Sequence, residues 1–168
     1  MLHIIIDGYN VIHATRGSDD DWMHLSLERA RNALLGFLLA KRRPKKERVT
    51  VVFDGSSGLH PRESAVHGLE VVFSEAGVTA DTLICNMITS APNPRSLLIV
   101  SDDRQIKNAA VKAGSKPLAS RTFLSQSHKE AEKRGKTPPE PREKYEGAKP
   151  GDVERWREIL GMDEEDES

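Results

Sequence analysis

The fold class follows from the stretch His3-Ile4-Ile5-Ile6-Asp7-Gly8, at residues 3–8. It is a short, continuous apolar run that ends in an acidic residue and a glycine. Residues 49–55 have the same form and read Val49-Thr50-Val51-Val52-Phe53-Asp54-Gly55. Uninterrupted apolar runs of this length, followed by turn residues, are typical of buried strands in a parallel sheet that is covered on both faces.

Other apolar runs alternate with helical patterns along the chain. Further strands are predicted at Leu69–Phe73, Ser96–Val100 and Pro117–Ala119. Helices are predicted at Leu25–Lys41, Thr79–Ser90, Asp103–Ala113 and Arg121–Arg134, with Thr79 as an N-cap and Gly114 just past a helix end. The alternation predicts an α/β fold of three layers, with a mostly parallel central sheet and helices on both faces. The Asp54–Gly68 connection is predicted to be a loop, either a mobile substrate loop or a surface excursion.

The composition changes after residue 134. The segment Thr137-Pro138-Pro139-Glu140-Pro141 is a break, Asp152–Leu160 has the pattern of a short amphipathic helix, and the chain then turns acidic. We therefore predict one domain at residues 1–134 and a second region at 135–168, made of a Pro-rich linker, a short helix and an acidic tail. Two interpretations stay open, because the tail either is dispensable and competes for a basic surface or docks on the domain through Trp156.

The composition excludes several classes of protein. With 37% hydrophobic and 30% charged residues, the sequence has no apolar stretch long enough to span a membrane. The first residues lack the basic region of a secretory signal, so we expect a cytoplasmic protein. The single cysteine, Cys85, rules out an intramolecular disulfide and a multi-cysteine zinc site.

The net charge of −1 conceals an asymmetry. Residues 1–124 carry more Lys and Arg than Asp and Glu, whereas residues 125–168 carry more acidic residues. If several front aspartates bind cations, the remaining surface is more basic than the net charge suggests. The charge pattern permits a nucleic-acid partner without requiring one.

Carboxylates follow the predicted strands repeatedly. Asp7 and Asp54 come after the first two strands, the pair Asp102-Asp103 comes after the fourth, and Asp81 lies in the first turn of a helix. Ligands of open parallel sheets collect beyond the carboxyl ends of the strands. We therefore expect Asp7, Asp81 and Asp103 to approach one another at this edge.

Crowded carboxylates repel one another unless a cation offsets their charge. Hard oxygen ligands without a His or Cys cluster favour Mg²⁺ or Mn²⁺ over Zn²⁺, and such ions can activate water and assist in-line attack on a phosphodiester. Taken singly, each aspartate can instead be a turn residue or a helix cap. Asn10 has two possible roles as well, either to orient a water or phosphate or to cap a helix.

Four segments in order resemble the motifs of a known family. They are Ile4–Ile12, Val51–Gly55, Glu70–Asp81 and Val100–Arg104. Together they are similar to the YacP-like branch of NYN domains, within the PIN-like nucleases, over roughly residues 1–125. The resemblance implies a PIN-like sheet, divalent-metal endoribonuclease chemistry and, in some relatives, cleavage of mRNA on the ribosome.

The resemblance also implies roles for the acidic residues. Asp7 and Asp81 would be the principal metal ligands, and Asp103, just before Arg104, best fits the family's late acidic position. Asp102 would be either an added ligand or the helix cap. Asp54 is the least certain of the acids, because the family varies at that position.

The densest basic segment is a candidate for binding the phosphate backbone. Its candidate residues are Lys41, Arg42, Arg43, Lys45 and Lys46, and Arg62 and Arg104 are added as further RNA contacts. The alternative is that these cations complement a helix C-terminus and keep the protein soluble.

The sequence therefore predicts an Mg²⁺- or Mn²⁺-dependent endoribonuclease acting on RNA, with the ribosome as a candidate partner. Its catalytic residues would be Asp7, Asn10, Asp81 and Asp103, and its metal ligands would be drawn from Asp7, Asp54, Asp81, Asp102 and Asp103. Two rivals remain open: a non-catalytic RNA- or ribosome-binding module on the same fold, and a DNA-cutting PIN-like nuclease. A dinucleotide-binding enzyme is disfavoured, because no Gly-x-Gly-x-x-Gly follows the first strand.

Overall fold

The computed structural model describes residues 1–41, 46–55, 63–66 and 69–135. Within these ranges the elements in chain order are β1 (Leu2–Asp7), α1 (Gly8–Ala14), α2 (Leu27–Lys41), β2 (Glu47–Phe53), β3 (Glu63–Val66), β4 (Leu69–Phe73), α3 (Ala80–Ser90), β5 (Leu97–Val100), α4 (Arg104–Ala113), β6 (Lys116–Leu118) and α5 (Ser120–Gly135). A 3₁₀ turn at Pro94–Ser96 leads into β5. No helix in the described ranges is long and apolar enough to cross a membrane.

The strands form one sheet in the order β3-β4-β2-β1-β5-β6. Five strands are parallel, and β3 pairs antiparallel with β4 at the edge. The last residues of neighbouring strands stand side by side, since Asp7 is paired with Val52 and Phe53 with Phe73. The carboxyl ends of the parallel strands therefore share one edge, called here the carboxyl edge, opposite the amino edge where these strands begin.

The helices cover both faces of the sheet and bury alternate residues of each strand. Ile4 and Ile6 of β1 belong to the core shared with α1, α2 and α5, whereas Ile5 packs into the core shared with α3 and α4. Both cores exclude water, which explains why the strands read as unbroken apolar runs. The predicted three-layer α/β fold with a mostly parallel sheet is confirmed.

Local predictions at helix ends are also confirmed. Thr79 caps α3 by accepting a hydrogen bond from the Thr82 amide, and Gly114 ends α4 with a left-handed backbone at φ 83°. The predicted fifth strand exists as β6, displaced by one residue.

Two elements were not predicted. α1 begins directly after β1, where Asp7-Gly8 suggested only a turn, and its seven residues are too few to show helical periodicity. The prediction that the whole Asp54–Gly68 connection is a loop is wrong, because Glu63–Val66 forms β3 through backbone pairing with β4. The predicted tail beyond Gly135 lies outside the described residues, so its boundary and its role stay predictions.

Candidate active site

Asp7 is the most buried carboxylate at the carboxyl edge, with 3% of its surface exposed. It is the last residue of β1 and the N-cap of α1, where its Oδ1 accepts a hydrogen bond from the Asn10 amide. Its Oδ2 accepts from the Asn10 side-chain amide at 2.6 Å and from the Ser101 hydroxyl at 3.1 Å. The same bonds that start the helix therefore fix the orientation of this carboxylate.

Asn10 and Ser101 connect Asp7 to the loop that follows β5. The Asn10 Oδ1 accepts a hydrogen bond from the Asp102 amide, and the buried Ser101 hydroxyl accepts one from the Asp103 amide at 3.1 Å. Both ends of the Asn10 side chain are thus engaged with protein groups, which makes Asn10 a positioning residue in this arrangement. Its predicted contact with water or phosphate stays a prediction.

Asp54 holds the start of α3 against the end of β2. Its Oδ1 accepts a hydrogen bond from the Ala80 amide at 2.6 Å and another from the Ser74 hydroxyl at 3.3 Å. The next residue in the helix is Asp81, so the contact at Ala80 brings the two carboxylates to the same place. The favourable interaction of Asp54 with the positive end of α3 offsets part of its repulsion with Asp81.

Asp81 differs from the other carboxylates in having no hydrogen-bond donor among the described residues. It lies in the first turn of α3. Burial raises its pKa above the usual value, and the charges of Asp103 and Asp54 raise it further. Asp81 therefore lies within electrostatic reach of carboxylates from two other elements.

Asp7 also interacts electrostatically with Asp81. Burial raises its pKa to about 6, the hydrogen bonds from Asn10 and Ser101 oppose that rise, and the charge of Asp81 adds to it. We call the set Asp7, Asp54, Asp81 and Asp103 the acidic cluster. Its members come from the ends of β1 and β2 and from the starts of α3 and α4.

The raised pKa of Asp7 predicts a specific pH dependence of stability. A folded pKa of about 6 against a reference of 3.8 favours the protonated form in the folded protein, so this contribution is fully present below about pH 4 and is lost as the pH rises through about 6. In metal-free buffer, the free energy of unfolding should fall by about 3 kcal/mol between these limits, relative to Asp7→Asn. Denaturant unfolding of both proteins across this range measures the difference, and parallel curves would contradict the prediction.

The two consecutive aspartates after β5, Asp102 and Asp103, have different roles. The Asp103 Oδ1 accepts from the Ile106 amide and caps α4, while its charge acts on Asp81. The exposed Asp102 turns to the start of α5, where its Oδ1 accepts from the Ser120 amide at 3.0 Å. The alternative that Asp102 caps the helix after β5 is therefore wrong, since Asp103 does so, and Asp102 caps α5 instead.

The donor chemistry of the acidic cluster fits a hard divalent cation. All four side chains are carboxylates, and those of Asp7, Asp54 and Asp103 accept hydrogen bonds from backbone amides. Within the described residues, no three His, Cys, Asp or Glu side chains are grouped so that they could together hold a metal ion. Mg²⁺ is commonly held by one or two carboxylates and keeps several waters, so the cluster suits a hydrated ion better than a fully enclosed one.

The predicted basic contacts are divided between the two edges. Arg104 is exposed in the first turn of α4, next to Asp103 at the carboxyl edge. Lys46 lies at the amino edge, where its carbonyl accepts from the Leu2 amide, and Lys41 ends α2 near the same edge. The structure therefore does not bring Lys41 and Lys46 to the aspartates. Arg42, Arg43, Lys45 and Arg62 lie outside the described residues.

Two residues near the cluster were missed by the sequence reasoning. Ser101 links Asp7 to Asp103 through two hydrogen bonds. The sequence feature that could have revealed it is a small hydroxyl residue between the end of β5 and two aspartates. Arg31 is buried beside Phe73 at the end of β4. The sequence feature that could have revealed it is a lone arginine on the apolar face of α2, between Leu27 and Leu34.

Comparison with known proteins identifies the fold and the family. The structure superposes on the crystal structure of Rae1 (YacP) from Bacillus subtilis with a TM-score of 0.62 at 26% sequence identity, over 80% of this chain and 80% of that chain. A crystal structure of a point mutant of the same Bacillus subtilis protein matches with a TM-score of 0.63 at 24% identity, over 79% of each chain. A search of curated proteins found no match. The family model of the YacP-like NYN domain matches residues 4–158, and the chain belongs to that family.

Proposed function

We propose that this protein is an Mg²⁺- or Mn²⁺-dependent endoribonuclease that hydrolyses phosphodiester bonds of RNA. The observation that carries the proposal is the electrostatic coupling of Asp81 to Asp7, Asp54 and Asp103 at the carboxyl edge. Carboxylates that repel Asp81 from three other elements are less unfavourable when a cation offsets their charge, which supports a metal-dependent site over a purely structural arrangement. Membership of the YacP-like NYN family supports nuclease chemistry.

Asp7, Asp81 and Asp103 would hold the cation, with Asp54 as a further ligand or a neighbouring charge. When bound, a divalent ion lowers the pKa of water and neutralises charge on the phosphate that is attacked. Asn10 and Ser101 keep the Asp7 carboxylate in one orientation, because each donates to its Oδ2. Neither residue needs to touch the substrate to affect the reaction.

The acidic cluster repels a polyanion as long as its charge is not offset. Substrate binding and cation binding at the carboxyl edge should therefore favour each other, since the cation offsets the charge that repels the phosphates and the phosphate oxygens are additional ligands for the cation. The exposed Arg104, one residue after Asp103, supplies a positive charge on the approach to the cluster. A cytoplasmic site of action belongs to this proposal, and so does cleavage of mRNA in association with the ribosome, which rests on the family resemblance.

Cleavage assays on purified full-length protein test the proposal. Labelled single-stranded RNA should be cut internally in Mg²⁺ or Mn²⁺ and left intact in EDTA, and single-stranded DNA of the same sequence should be cut more slowly. Equal or faster cleavage of DNA would favour the DNA-cutting alternative. Binding of RNA with no cleavage under any metal condition would overturn the enzymatic proposal in favour of a binding module.

A further inference from the structure

Arg31 is a buried cation at the side of the candidate active site. It lies in the second turn of α2, on the face that packs against the sheet, and only 7% of its surface is exposed. Its guanidinium group lies over the Phe73 ring, 5.7 Å from the ring centroid. Phe73 is the last residue of β4, so this part of α2 lies near the carboxyl edge.

Within the described residues, the Arg31 side chain has no carboxylate partner, and its Nε is completely buried without a hydrogen-bond acceptor. A buried guanidinium without an anion is strongly unfavourable, and the stacking on Phe73 offsets only part of that cost. The arrangement is therefore suited to an anion that reaches the guanidinium from the carboxyl edge.

Arg31 and Phe73 lie on the same edge as the acidic cluster. A row of aromatic rings joins the two places, with Tyr9 and Phe53 at 5.2 Å between centroids and Phe53 and Phe73 at 5.6 Å. Burial is the main cause of the raised pKa of Tyr9. The charge of Arg31 lowers this pKa and that of Asp54 raises it, so the Tyr9 hydroxyl lies within electrostatic reach of both side chains. Tyr9 therefore lies near both Arg31 and Asp54.

We propose that the Arg31 guanidinium binds a phosphate of the RNA strand next to the phosphate held at the acidic cluster. The inference rests on the proposed function and adds a substrate-positioning contact to it. An RNA strand that crosses the carboxyl edge passes from the acidic cluster, where its phosphates need a cation, to a surface that carries a positive charge of its own. Arg31 supplies that charge, and the planar fork of an arginine matches two phosphate oxygens.

The test compares two variants that remove the same charge from the same helix. Arg31→Met retains most of the apolar stem, and Arg29→Met, at a less buried position two residues earlier, is the matched control. Labelled single-stranded RNA is titrated in EDTA at several salt concentrations. Arg31→Met should weaken binding about tenfold and reduce the slope of log affinity against log salt by about 0.7, the value for one lost single-strand contact. Arg29→Met should change neither quantity by a comparable amount.

Thermal melting and steady-state kinetics separate this role from a structural one. Because Arg31→Met removes an unpaired buried charge, the variant should melt at or above the wild-type temperature, and Arg31→Lys should recover the salt slope with only part of the affinity. In Mg²⁺, Arg31→Met should raise KM with little change in kcat. A lower melting temperature for Arg31→Met than for Arg29→Met, or unchanged RNA affinity, would overturn the inference.

The two proposals fail in different ways. If the wild type cuts RNA and Arg31→Met binds RNA as well as the wild type, Arg31 has no role in substrate binding while the nuclease proposal stands. If the wild type binds RNA through Arg31 but never cuts it, the nuclease proposal fails and the phosphate site stands.

Discussion

Asp81→Asn is expected to reduce RNA cleavage by about three orders of magnitude, which corresponds to roughly 4 kcal/mol of transition-state stabilisation. The change removes one charge from the acidic cluster and keeps the size of the side chain. No described hydrogen bond depends on the Asp81 carboxylate, so the α3 cap at Thr79 should be unaffected. Relief of the repulsion with Asp54 and Asp103 should also raise the melting temperature in metal-free buffer.

The matched control is Asp19→Asn, which removes the same charge from the loop after α1. Cleavage rates and melting curves of both variants are measured with and without Mg²⁺. Asp19→Asn should retain wild-type cleavage. Wild-type cleavage by Asp81→Asn in the presence of metal would refute the assignment of the acidic cluster as the active site.

Gly8→Ala is expected to lower the free energy of unfolding by about 3 kcal/mol, because added volume in a close-packed core forces its neighbours apart. A Cβ at Gly8 would overlap the ring of Phe53, which is completely buried and packed between Tyr9 and Phe73. A shift of the ring would press on Tyr9 and Phe73, which it contacts on two sides. The displacement would fall where α1 leaves the end of β1, directly beside Asp7.

Gly36→Ala is the control for this prediction. Gly36 lies in α2, and a Cβ there meets no atom within 4 Å. The substitution should raise the free energy of unfolding by about 0.5–1 kcal/mol, since alanine favours a helix over glycine. Denaturant unfolding measures both changes, and a Gly8→Ala variant as stable as Gly36→Ala would contradict the packing described around Phe53.

The position of the acidic cluster was predictable because it depends on topology. Parallel strands that end in aspartates place those aspartates on one edge, whatever the details of packing, so Asp7, Asp81 and Asp103 could be grouped from the sequence. Helix ends were predictable for a similar reason, since Thr79 and Gly114 act through their own local backbone. Both kinds of inference need only information that is close together in the sequence or repeated along it.

Other features depended on contacts that the sequence does not encode locally. The roles of Asp102 and Asp103 were separated by a hydrogen bond from the Ser120 amide, eighteen residues after Asp102. The distance of Lys41 and Lys46 from the aspartates follows from the direction in which α2 and β2 run. The burial of Arg31 against Phe73 likewise required the packing of a helix on a strand that is distant in the sequence.

The hydrogen bonds of the acidic cluster bear on how inactive relatives can be recognised. Asp7 caps α1, Asp103 caps α4, and Asp54 holds the first amide of α3, so each of these three acids stabilises the fold whether or not the protein cleaves RNA. Their presence in another sequence is therefore a sign of the architecture and a poor sign of turnover. Among the described residues the Asp81 side chain makes no such hydrogen bond, so its loss would remove no helix cap. In a survey of homologous genomes, the residue at this one position should separate working nucleases from pseudoenzymes.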